Sequence, residues 1–84
     1  MHEWGITESV IKEIIKHVNE HRLEQIDKIC LSIGKDSDIT TESLKFCFEN
    51  LSKETILENA KLEIKEGNGR GIVIDSIEGL SRDE

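Results

Sequence analysis

The sequence predicts an α+β fold, a small antiparallel or mixed sheet of three to four strands with two helices packed on one face. Three observations carry this. Two stretches, Val10-Ile11-Ile14-Ile15-Val18 and Leu44-Cys47-Phe48-Leu51, repeat apolar residues at the spacing of one helical face. Three others alternate apolar with polar residues, the period of a strand with one face buried. The 84 residues, 36% hydrophobic and 35% charged, suffice for one domain with a modest core.

Taken in order, Met1 to Ile6 places Trp4 and Ile6 on alternate positions and is expected to be an edge strand. Thr7 then serves as an N-cap, with Glu8 in the first turn, for a helix ending near His21. From Gln25, Ile29, Leu31 and Ile33 alternate with Lys28, Cys30 and Ser32 in a strand that Gly34 stops. Lys35 to Asp38 is a polar loop. Thr40 or Thr41 caps the second helix. Ile56 and Leu57 are expected beneath the connection to a strand in which Ala60, Leu62 and Ile64 alternate with Lys61, Glu63 and Lys65. Glu66-Gly67-Asn68-Gly69-Arg70-Gly71 precedes the last strand, Ile72 to Ile77. Because Asn-Gly tolerates positive φ at both turn positions, a tight turn near 67–69 is expected to make these two strands antiparallel neighbours. The tail from Glu78 to Glu84 is expected to fray.

Composition excludes several functions. Eleven basic residues against 18 acidic give a formal charge of -7, which opposes attachment to phosphate backbones, so no nucleic-acid partner is expected. No apolar run approaches the roughly 20 residues of a membrane span, and no signal-peptide pattern opens the chain. No membrane partner and a cytoplasmic location are the expectation. Cys30 and Cys47 stand apart with no C-x-x-C at either, so they read as core residues rather than zinc ligands. No nucleophile with a plausible base is visible, and the chain is not expected to be an enzyme.

The candidate site is the free end, a metal site of Met1, His2 and Glu3. Met1 offers an α-amine, His2 a backbone nitrogen and an imidazole, and Glu3 a further nitrogen and a carboxylate. Methionine is expected to be retained beside a residue as large as histidine. Amine, deprotonated amides and imidazole can surround one ion in a plane, and a square-planar nitrogen and oxygen set suits Ni(II) or Cu(II). Deprotonating amides makes such binding pH-dependent. His17 and His21, four apart, could share a metal, but His21 lies beside Ile14 on the apolar stripe and His17 at its edge, which favours packing.

Met1-His2-Glu3-Trp4-Gly5-Ile6-Thr7-Glu8 resembles the start of HypA/HybF proteins, which open Met-His-Glu, then an aromatic residue and a helix. Leu31-Ser32-Ile33-Gly34 looks like that family's second strand, and Leu44-Lys45-Phe46-Cys47-Phe48-Glu49 like its second helix. Ala60-Lys61-Leu62-Glu63-Ile64 and Gly69-Arg70-Gly71-Ile72-Val73-Ile74 are similar to the strands that enter and leave its zinc module, the latter in archaeal style. The resemblance implies a nickel metallochaperone that binds Ni(II) at its N-terminus. Its partners would be a nickel-supplying GTPase of the HypB type and the large subunit of a [NiFe] hydrogenase, or urease in some organisms. Residues 1–84 would then be a single nickel-binding domain. The family's two C-x-x-C pairs are missing, so no zinc is expected, whether the module was excised or is naturally absent. Some members carry an acidic residue where this chain has Thr40, with Asp36 and Asp38 just upstream, which leaves any oxygen ligand open. The rival reading is a metal-free protein interaction module of the same fold.

Overall fold

The structure, a computed structural model, describes residues 2–81, with side chains from residue 4 onward. Five elements follow one another: α1 (His2–Glu20), β1 (Leu23–Gly34), α2 (Thr41–Leu51), β2 (Lys61–Gly67) and β3 (Ile72–Ser81). The opening edge strand is not there. Trp4, Thr7, Ile11, Ile14 and Val18 recur at alternating steps of three and four, a single helical stripe that reaches the first turn. Four of the five, from Thr7 to Val18, are buried. Thr7 is therefore an interior helical residue rather than an N-cap. Burial of this longer stripe outweighs the local alternation of Trp4 and Ile6, which are both partly exposed.

The mixed three-stranded sheet has the order β2-β1-β3. β2 runs parallel to β1, with Ile29 opposite Leu62 and Leu31 opposite Ile64, while β3 runs antiparallel, with Ile29 opposite Ile77. β2 and β3 are thus the two edges, not the neighbours that the Asn-Gly signal predicts. Parallel strands need a long crossover, and the segment from Lys35 to Ala60, containing α2, supplies it. β1 then occupies the middle, so the link from β2 to β3 must span two strand spacings, roughly 10 Å. Residues 68–71 do this. A two-residue hairpin would close only one spacing.

The strand lengths follow from the same arrangement. β3 continues to Ser81, past the expected end at Ile77, because Leu23, Gln25 and Ile26 at the start of β1 offer it ladder partners. Both helices close over one face of the sheet. Ile11, Ile14 and Val18 of α1 join Leu44 and Phe48 of α2 against Ile29, Leu31 and Ile33 in one core. Thr40 caps α2, its hydroxyl accepting from the Ser43 amide at 3.0 Å. Of the pair expected under the connection, Leu57 enters the core and Ile56 is exposed. The opposite face of the sheet is mixed: Lys28 pairs with Glu63 at 3.3 Å and the Ser32 hydroxyl donates to Asp75, beside the exposed Val73 and Leu80.

Candidate metal centre

Met1, and the side chains of His2 and Glu3, lie outside the described residues. His2 and Glu3 occupy the first turn of α1. The first four N–H groups of a helix have no intrahelical acceptor. Amide nitrogens there can lose their protons without breaking a helical hydrogen bond, and the positive end of the helix dipole favours the resulting charge. Support comes from below. Thr7 is wholly buried, and the Trp4 ring meets Phe46 of α2 edge-on, with centroids 6.2 Å apart and planes at 69°. Sequence reasoning missed both anchoring roles, although the stripe from Trp4 to Val18 was there to be read.

The other candidates fall elsewhere. His17 is half-buried between Glu13 at 3.4 Å and Glu20 at 3.7 Å, and its ring stacks on His21 with centroids 6.5 Å apart. His21 follows the end of α1 and is exposed, not part of the apolar stripe as expected. The two face a groove beside β3. Asp36 and Asp38 are exposed in the loop after β1, where the Asp36 amide donates to the Gly69 carbonyl at 2.8 Å. Cys30 and Cys47 are buried, unbridged thiols, Cys30 lying 3.8 Å from a Glu63 carboxylate oxygen and Cys47 on the buried side of α2. Among the described residues no three His, Cys, Asp or Glu side chains are grouped to hold a metal ion. None of the described helices is long and apolar enough to cross a membrane.

A family model described as "Hydrogenase/urease nickel incorporation, metallochaperone, hypA" matches residues 1–75. The chain belongs to the HypA family. Among HypA relatives, the hydrogenase maturation factor of Beijerinckia indica is 35% identical over 78 residues, covering 93% of this chain and 69% of that protein. The one from Nostoc punctiforme is 37% identical over 71 residues, covering 84% and 60%. The chain thus spans roughly two thirds or less of the length of these relatives. Both are bacterial and leave the likeness of residues 69–74 to archaeal members an expectation. The fold is that of a solved HypA: the solution structure of the Helicobacter pylori nickel metallochaperone superposes with a TM-score of 0.84 at 15% identity, over 95% of this chain and 98% of that one.

Proposed function

We propose that this chain carries Ni(II) at Met1, His2 and Glu3 and delivers it during maturation of a [NiFe] hydrogenase. The observation that carries the reading is the family match, which begins at residue 1 and so includes the Met-His-Glu start. The unpaired amides of a first helical turn add the means. A terminal site is open to an acceptor's ligands, which suits an ion that is cargo and must leave. Square-planar nitrogen ligation disfavours zinc, calcium and magnesium, while Cu(II) competes as the affinity series requires.

On this reading the protein is a carrier and not an enzyme, acts in the cytoplasm, and works with a nickel-supplying GTPase and the hydrogenase large subunit, urease being the other acceptor class. Residues 1–84 act as one nickel-binding domain in which the 68–71 loop stands where relatives carry a zinc module. No zinc is needed, because two separated cysteines cannot complete a tetrahedral site. The test is a titration with one equivalent of Ni(II), followed by ultraviolet-visible absorption and elemental analysis. The weak band of square-planar nickel, with one nickel and no zinc per chain, supports the proposal. Failure to bind nickel overturns it and leaves the metal-free interaction module.

A further inference from the structure

We propose that the open edge of β3 is a docking strip for an extended segment of a partner protein, one that alternates apolar with Lys or Arg residues and adds as a fourth strand. The proposal does not depend on nickel. In the order β2-β1-β3, β3 has a single described neighbour, so from Ile72 to Leu80 its outer edge meets no other strand among the described residues. Edge strands are ordinarily protected by Pro or Lys. β3 contains neither. Three register shifts interrupt its pairing with β1, but only Asp75 is an extra residue on β3; the other two leave Glu24 and Asp27 over on β1, so Ser76 to Leu80 run consecutively along the β3 edge.

Beside this edge runs a groove of about 640 Å³ whose walls include His17, His21 and Leu23 on one side and Ile74, Ile77 and Gly79 on the other. Ile74 and Ile77 face the core side yet are only half-buried, since no strand of the described residues lies beyond them. An added strand would bring every second side chain onto these isoleucines and its backbone onto the β3 ladder, which is the general chemistry of strand addition. Its intervening side chains would fall on the opposite face, where Asp75 and Glu78 stand between the exposed Val73 and Leu80.

That face selects the occupant. Asp75 and Glu78 are the charged residues of β3, and it has no basic one, within a chain of formal charge -7. Lys28, opposite Glu78 in the register, gives its ion pair to Glu63 at 3.3 Å. Glu78 is exposed. A second copy of β3 paired antiparallel about residues 76 and 77 would set Asp75 against Glu78, like against like, which is unfavourable. A basic strand meets both carboxylates with opposite charge, and steering by the net charge speeds its approach.

The probe is a capped octapeptide of alternating valine and lysine, with alternating valine and glutamate as control. Amide exchange and chemical shifts are followed by NMR on the whole chain, and affinity by calorimetry. The expected result is at least a tenfold slowing of exchange at β3 amides with the lysine peptide and none with the glutamate peptide. In Asp75→Lys/Glu78→Lys, checked for folding by circular dichroism, the preference should reverse, the lysine peptide weakening at least tenfold. Glu78→Lys alone serves if the double variant does not fold. Protection away from β3, equal affinity for both peptides, or β3 protection that rises with protein concentration in the absence of peptide would overturn the proposal, the last by showing a second copy on the edge.

Discussion

Gly34, at the end of β1, packs directly beneath the carbonyl of Gly69, so that a Cβ on Gly34 would collide with backbone at Gly69 and Arg70. The contact is part of a seam between two loops. The Gly34 amide donates to Gly71 at 2.8 Å, Lys35 to Gly67 at 3.0 Å and Asp36 to Gly69 at 2.8 Å. Residues 68–71 cross the end of the central strand here, and the absence of a side chain lets them pass. Gly34→Ala should therefore destabilise the protein by about 1–3 kcal/mol, the range for forced overpacking. Urea unfolding measures this, and an unchanged midpoint would show that the loop passes elsewhere. Gly71→Ala, with open space around its Cα, is the comparison and should cost much less.

Thr7 is wholly buried in α1, and its hydroxyl has no hydrogen-bond partner among the described residues. An orphan hydroxyl costs roughly 1–3 kcal/mol in desolvation. Thr7→Val keeps the shape and the β-branch while removing that polar atom. It should raise stability by about 1 kcal/mol or more, seen as a higher midpoint with an unchanged m-value. A loss of stability would reveal a partner for the hydroxyl, most simply a water.

For nickel, His2→Ala should remove high-affinity binding with the fold intact, because the substitution takes the imidazole from the first turn of α1 and puts a good helix former in its place. His17→Ala and His21→Ala should leave affinity nearly unaltered. Isothermal titration of the three variants decides between them, and loss of binding in either of the latter two would move the site to the C-terminal end of α1. Placing one residue before Met1 turns its amine into an amide. Affinity, spectrum and proton release should then all change; if none does, the terminal amine is not a ligand.

The Glu63 carboxylate, by hydrogen bond and then by charge, holds Lys28 above the ordinary lysine pKa. Such a raised pKa stabilises the fold at pH values below the ordinary lysine range, about 10.4, and the contribution is lost as pH climbs through the higher, folded-state value. Glu63→Gln should bring the Lys28 titration down, as followed by NMR of its side chain. The two proteins should differ in stability at pH 9 and converge once the pH has passed the raised, folded-state pKa of Lys28. A Lys28 titration unmoved by the substitution would discount the pair.

The sequence by itself determined what local periodicity and chemistry encode. The stripes of α1 and α2, a threonine cap at 40 or 41, and the alternation of Ile29, Leu31 and Ile33 each lie within a few residues of one another, and each is found, the cap falling to Thr40. The Met-His-Glu start could be picked out for the same reason, because its donors are consecutive and need no fold to bring them together. Strand neighbours are different. Asn68-Gly69 favours a tight turn locally, but whether β2 turns back onto β3 depends on which of them pairs with β1. Tertiary structure decided this by putting Ile29 and Leu31 between Leu62 and Ile64 on one side and Ile77 and Ile74 on the other, where the most apolar strand gains most from two neighbours. Residues 2–6 were settled the same way. Trp4 and Ile6 alternate like a strand, yet Thr7, three residues past Trp4, is buried on the same stripe of α1 as Ile11, and a contiguous buried stripe stabilises more than a two-residue pattern can.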